Sequence, residues 1–186
     1  MEKNTRFGLQ FLKNYKQIGS VTPSSPFLTK KMLKSVAFGK TKCIVEFGPG
    51  TGVFTKAILN KLNADAKLIC IELNTTLYEG LKKQFNDPRL ILIHGSATDL
   101  PKYLKENGIQ EVDTIISSLP LAAFPIEVKK EVIETAHRVL KSKGRYIQFQ
   151  YTLNAKQDLE DIFDKVNIDF TLFNIPPAFV YRCRKA

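Results

Sequence analysis

Two carboxylates and three glycines are the residues of this chain best placed to do chemistry. Glu46 stands two positions before Gly48-Pro49-Gly50-Thr51-Gly52, and Glu72 follows 26 residues after Glu46. Glycine holds a left-handed backbone without steric cost and lets a ligand come close to the main chain. Amide groups opening a helix beyond such a turn point at that ligand with the positive end of the helix dipole. A nucleotide-type ligand suits the turn, and spacing narrows the choice. The dinucleotide fingerprint G-x-G-x-x-G sets its third glycine where the helix packs beside a bound pyrophosphate. Here Gly52 comes one residue early, Val53 holds that place, and Glu46 would repel a pyrophosphate.

The elements around these residues position them. Cys43-Ile44-Val45 is an apolar, β-branched run that reads as a buried parallel strand. Val53, Phe54, Ala57, Ile58 and Leu62 recur at helical spacing, so the glycines form a strand-to-helix turn. Lys67 to Ile71 is a second apolar strand ending in Glu72. In a doubly wound sheet this sets a carboxylate where its two oxygens can accept from both hydroxyls of a ribose; a solvated acid opening the next helix is the plainer reading.

The remaining pattern alternates in the same way. A helix with Ser25 as N-cap and Pro26 at its first position carries Phe27, Leu28, Met32, Leu33 and Val36 on its face. Helices over 75–85 and 126–140 alternate with strands over 90–94, 112–116 and 145–151, and Lys141 to Gly144 reads as a helix C-terminal turn. Leu159, Ile162, Phe163 and Val166 mark a last helix, followed by strands near 168–174 and 179–184. This is an α/β chain with a doubly wound sheet, whose ligand crevice lies at the carboxyl ends of the first and fourth strands.

At 186 residues and 44% hydrophobic, one domain with a substantial core is expected. No apolar run is long enough to cross a membrane and no signal-peptide pattern opens the chain, so a protein soluble inside the cell is expected. Cys43, Cys70 and Cys183 lie in apolar segments without C-x-x-C spacing and read as core thiols; His94 and His137 are too scattered for a metal site. Residues 1–45 hold nine of the basic residues against one acid and so carry +8 of the net charge of +10. An anionic partner met by the N-terminal segment follows from this asymmetry. Phe7, Phe11 and Tyr15, interleaved with Lys3, Arg6, Lys13 and Lys16, form a basic amphipathic pattern. It suits a helix lying on an anionic membrane, a helix packed on its own domain, or an arm on nucleic acid.

An acid, one residue, then G-x-G-x-G resembles the first motif of the class I S-adenosylmethionine-dependent methyltransferases, whose cofactor carries no phosphate. The resemblance implies a Rossmann-like fold: a seven-stranded, mostly parallel sheet with helices on both faces, in a methyltransferase domain over 41–186 behind N-terminal basic helices over 1–40. It implies cofactor contacts at Glu46, Gly48, Gly50, Thr51, Gly52, Glu72, Leu73, Ser96, Ala97 and Ser117, with Ser20 and Ser24 for the carboxylate of the methionine end. Adenine recognition departs from the family pattern, since Ser96 stands where an acid is usual and leaves the Ala97 amide or Asp99 to serve. S-adenosylmethionine and no metal is the cofactor set expected.

The acceptor should be decided after the fourth strand. In the rRNA adenine dimethylases and DNA adenine methyltransferases an Asn or Asp precedes a Pro-aromatic pair that stacks on the flipped base. Here Ser118 and Leu121 occupy those places. With the segments Val21-Thr22-Pro23-Ser24-Ser25, Tyr146 to Tyr151 and Pro176 to Val180, the chain resembles the bacterial soluble phospholipid N-methyltransferases. This implies transfer to the amine of phosphatidylethanolamine and its methylated forms. Tyr15, Ser118 and Tyr151 would position the amine, and Phe124, Phe179 and Tyr181 could complete a cation–π cage. A monomer in the cytoplasm, held on the inner face of the cell membrane through Lys3, Arg6, Lys13 and Lys16, is expected. An RNA adenine N-methyltransferase and a non-catalytic cofactor-binding adaptor are the alternatives.

Overall fold

The computed structural model describes residues 24–186. Seven strands form one sheet in the order β3-β2-β1-β4-β5-β7-β6. They are β1 (Cys43–Phe47), β2 (Lys67–Glu72), β3 (Leu90–His94), β4 (Val112–Ser117), β5 (Leu140–Gln150), β6 (Lys165–Thr171) and β7 (Ala178–Arg184). Only β7 runs against its neighbours. Every residue of β1 is buried, as a central strand covered on both faces requires.

Two apolar layers sandwich the sheet. On one face α1 (Pro26–Leu33) and α2 (Val53–Leu59) bury Leu28, Met32, Phe54 and Ile58 against Ile44, Leu68, Ile116 and Ile147. On the other, α4 (Leu100–Glu106), α5 (Ile126–Val139) and α6 (Lys156–Glu160) cover Val45, Phe47, Ile115 and Tyr146. The ten-residue helix α3 (Thr75–Gln84) links β2 to β3 and opens on Asn74, whose Oδ1 accepts from Leu77 N. Asp113 fastens the start of β1 to β4, accepting from Lys42 N at 2.7 Å and Cys43 N at 2.9 Å while it pairs with Lys141. The three cysteines are free and buried. No described helix is long and apolar enough to cross a membrane.

Ser25 caps α1, its Oγ accepting from Leu28 N at 3.1 Å. The far end of the chain departs from expectation. The last helix stops at Glu160, and Val166 lies in β6, because Val166, Ile168 and Phe170 alternate with polar residues and pair with β7. Phe163 still reaches the core and stacks on Tyr146 at 5.6 Å. A helical spacing of apolar residues there reflects a buried turn. Strand β5 begins at Leu140 and passes irregularly through Lys141 to Gly144, with Lys143 at φ 62. Leu172 to Asn174, expected in a strand, lie beyond β6 in a loop, and Phe27, expected on the buried face of α1, is 58% exposed.

Candidate active site

The strand order reverses between β1 and β4, and in such a sheet the crevice opens at the carboxyl ends of those strands. Main-chain bonds knit the rim there. Gly48 N donates to Ile71 O at 3.0 Å, Gly95 N to Glu72 O at 3.0 Å and Ser118 N to Phe47 O at 3.0 Å. Gly48, Gly50 and Gly52 all have positive φ, at 65, 57 and 81°. At Gly52 a side chain is also excluded by packing, since a Cβ would lie 2.6 Å from the Phe85 ring. At Gly50 a Cβ would meet nothing nearer than the Gly48 carbonyl oxygen at 4.0 Å. The turn is therefore closed on its helix side and open at Gly50.

Glu72 braces this turn from β2. Its Oε2 accepts from Gly50 N at 3.1 Å and its Oε1 from Asn74 N at 2.9 Å. Burial pushes its carboxyl up, and the Asn74 and Gly50 amides oppose that. Each oxygen keeps a lone pair for a further donor such as a ribose hydroxyl. Glu46 is completely buried in β1. Its Oε2 accepts from Thr55 Oγ1 at 2.7 Å and from the Cys70 thiol at 3.2 Å, while Oε1 has no partner. Burial raises its pKa to about 7, with the Thr55 and Cys70 bonds pulling down and the charge of Glu72 adding to the rise. An orphaned carboxylate oxygen is costly unless something cationic or hydrogen-bonding reaches it. The set therefore fits a nucleoside that carries hydroxyls and an ammonium. Among the described residues no group of three His, Cys, Asp or Glu could hold a metal.

The other expected contacts are distributed around this rim. Leu73 is half-buried; its carbonyl lies 3.1 Å and the Thr75 hydroxyl 3.3 Å from His94 Nε2, and the His94 ring stacks on Tyr78 at 5.0 Å. Thr51 is exposed at the tip of the turn, and Ser24 is half-buried just before α1. Ser96 caps the short 3-10 turn Ala97–Asp99, its Oγ accepting from Thr98 N at 3.3 Å, and Ala97 is buried below it. Asp99 is exposed and its Oδ2 takes the Tyr103 hydroxyl at 3.5 Å. Ser117 is buried at the end of β4 and its Oγ accepts from Leu119 N at 3.3 Å. Tyr15 and Ser20 lie outside the described residues.

At the acceptor side, Ser118 Oγ is buried without a partner. Tyr151 is exposed at the end of β5, its ring edge-on to Phe149 at 5.7 Å. Among the described residues, three of the rings expected in an aromatic cage are committed elsewhere. Tyr181 is fully buried with its hydroxyl donating to Thr152 O at 3.1 Å, Phe124 belongs to the core, and Phe179 packs on Phe170 at 4.8 Å. Burial of apolar area outweighs any gain from presenting these rings.

Two residues unforeseen in the sequence fix this loop. Gln148 Nε2 and Gln150 Nε2 both donate to the Leu119 carbonyl, at 2.9 and 2.8 Å. Gln148 Oε1 accepts from the Tyr146 hydroxyl at 2.7 Å and Gln150 Oε1 from Ala122 N at 3.3 Å. Their signal was two amides alternating with apolar residues in a core strand, where a buried polar group must have a partner. Leu119 in turn packs on the glycine turn, 3.0 Å from where a Gly48 Cβ would stand. The loop that would meet the acceptor thus rests on the loop that would hold the cofactor.

A model of the family described as "Methyltransferase domain" matches residues 44–144. The chain belongs to this methyltransferase family. The methyltransferase is 29% identical to the ornithine lipid N-methyltransferase of Singulisphaera acidiphila, over 94% of its own length and 92% of that protein. It is 24% identical to the ribosomal RNA small subunit methyltransferase A of Malacoplasma penetrans, over 94% of its length and 77% of that protein. Its fold matches a precorrin-6y C5,15-methyltransferase from Geobacter metallireducens at a TM-score of 0.71, with 15% identity over 90% of this chain and 93% of the other. It is a class I enzyme dependent on S-adenosylmethionine. Glu46, Glu72 and the turn Gly48 to Gly52 are the residues that would hold that cofactor.

The glutamine pair should matter to turnover rather than to cofactor binding. Gln150→Leu removes one of two donors from the Leu119 carbonyl and strands the Ala122 amide, each loss costing about 1–3 kcal/mol if left unmet. We expect the rate of methyl transfer to fall about tenfold as the loop loosens. S-adenosylmethionine affinity by calorimetry should stay within about twofold.

Proposed function

We propose that the methyltransferase acts on the amine of a phospholipid head group, phosphatidylethanolamine and its methylated forms. The observation that carries this reading is the place of Leu121. Enzymes for a flipped adenine use the aromatic side chain of this position as a stacking face, worth about 1–3 kcal/mol per base. Leu121 is fully buried in the core and offers no face to any base. The lipid N-methyltransferase among the relatives, matched over nearly the whole chain, supports an amine on a lipid.

Bound S-adenosylmethionine supplies a methyl group on an already activated sulfonium. What the chain contributes is position, holding a neutral amine in line at near-contact distance. Ser118 Oγ, buried and unpartnered, accepts a hydrogen from the amine and so turns the nitrogen lone pair away from itself. Tyr151 follows Gln150, which holds the same loop from the end of β5. An ethanolamine head group is an ammonium near neutral pH, and its proton passes to water or to the lipid phosphate. His94 is engaged at the Leu73 carbonyl and takes no part.

A second reading, an adenine of RNA as acceptor, is favoured by the ribosomal RNA methyltransferase relative and by the +8 charge of residues 1–45. The test is direct. Pure protein and methyl-labelled S-adenosylmethionine are incubated in parallel with phosphatidylethanolamine vesicles, ornithine-lipid vesicles and total RNA. Label is expected in phosphatidylethanolamine; label in RNA alone replaces the first reading with the second, and label in ornithine lipid alone moves the head group.

A further inference from the structure

Strand β6 runs parallel to β1 and β4, because β7 is antiparallel to both β5 and β6. The loop 172–177 after β6 therefore projects from the edge of the sheet on which the glycine turn opens. In this loop the usual distribution of side chains is inverted. Asn174 is buried, its Oδ1 accepting from Ser25 N at 3.0 Å and its Nδ2 donating to Pro176 O at 2.7 Å. Leu172, Phe173 and Ile175 are 69, 69 and 81% exposed.

The tip is also braced. Ser25 Oγ donates to Phe173 O at 2.5 Å, and the exposed ring of Phe27 meets that of Phe173 at 5.0 Å. An amide is spent as an internal strut so that four large apolar side chains stand together in water, an arrangement that marks an interaction surface. Its rim is basic. Lys31 Nζ donates to Phe170 O at 2.6 Å, and Lys30, Lys31 and Lys34 line, with Phe27 and Phe173, a groove of about 1070 Å³ between α1 and β6. Aromatic and aliphatic groups ringed by lysine stems match the boundary of head groups and acyl chains in an anionic bilayer: the rings enter it and the ammonium groups stay at the phosphates.

We infer that Leu172, Phe173 and Ile175 of the β6–β7 tip, with Phe27 and the lysines of α1, form a membrane-contacting surface whose ligand is an anionic lipid bilayer. The tip shares its edge with the cofactor turn, so contact there presents the active-site rim to the head groups; this orienting role rests on the lipid reading above, whereas the contact itself does not.

The chain contains no tryptophan. Phe173→Trp in the full chain thus gives a single reporter, read against vesicles of phosphatidylglycerol and phosphatidylethanolamine. The emission is expected to shift to the blue and to be quenched by brominated acyl chains. Leu172→Ser with Ile175→Ser should weaken vesicle binding at least tenfold and leave S-adenosylmethionine affinity unchanged, which also reports that the variant is folded. Three results overturn the inference: emission that stays that of water, emission already blue and indifferent to vesicles, as when residues 1–23 cover the tip, and emission that turns blue only with protein concentration, as when a second copy does. Label in lipid without insertion of the reporter sinks the surface and spares the proposed function; insertion without labelled lipid does the reverse.

Discussion

Gly50→Leu should abolish cofactor binding while leaving a folded protein. The left-handed backbone at φ 57 costs a leucine about 1–2 kcal/mol, and no neighbour obstructs its Cβ. In a chain of this size that corresponds to a fall in Tm of about 2–8 °C. The new side chain would stand over the one part of the turn that is open, where a cofactor must approach the main chain. We expect the Kd for S-adenosylmethionine to rise at least about 100-fold, the loss of roughly 3 kcal/mol. Calorimetric titration measures this, and circular dichroism reports the fold. Unchanged affinity would mean that the cofactor lies elsewhere. Gly52 is the contrast, because its Cβ would collide with Phe85 within the fold and would damage stability as well as binding.

That contrast between two glycines of one motif shows what the sequence could and could not carry. The turn, its acids and the seven strands were legible because each is signalled locally: glycine spacing, a β-branched run, an acid at the end of a strand. The different duties of Gly50 and Gly52 were not, since Phe85 is brought to Gly52 only by the folding of α3 over the sheet. The same holds for Gln150, whose partner Leu119 is 31 residues away, and for Thr55, whose hydroxyl meets Glu46 across the β1–α2 turn. Helical spacing placed Phe27 on a buried face, and alternation extended a strand into Leu172 and Phe173. Both patterns record that a residue is apolar, and neither distinguishes a buried position from an exposed one.

The energetics of the site follow from how little water reaches it. Glu72 is stabilised by main-chain amides, so its place in the turn is secured before any ligand arrives. Glu46 is not secured in that way. Its carboxylate is held by one hydroxyl and one thiol, both on a single oxygen, and the fold is thereby made less stable whenever the group is charged.

A pH dependence of both stability and binding is the consequence. Burial lifts the Glu46 pKa from its ordinary value of 4.5 to about 7 in the folded protein. The folded state therefore holds its proton more tightly than the unfolded chain, so this contribution to stability is complete below pH ~4.5 and is lost as pH rises through ~7. Cofactor binding should have the opposite sign, because the buried Glu46 Oε1 has no partner in the free protein and, once charged, would accept from the methionine ammonium. Affinity for S-adenosylmethionine should rise from pH 6 to 7.5, below the range near pH ~8 in which an α-amino group loses its own proton. With Glu46→Gln the same titration should be flat. The variant should also bind about 10- to 150-fold more weakly at pH 7.5, since a hydrogen bond to a charged group is worth about 1.5–3 kcal/mol. Calorimetry at three pH values, paired with thermal melts of the free protein, separates the two effects. A pH-dependent affinity that persists in Glu46→Gln would place the titrating group elsewhere and leave Glu46 a structural residue of β1.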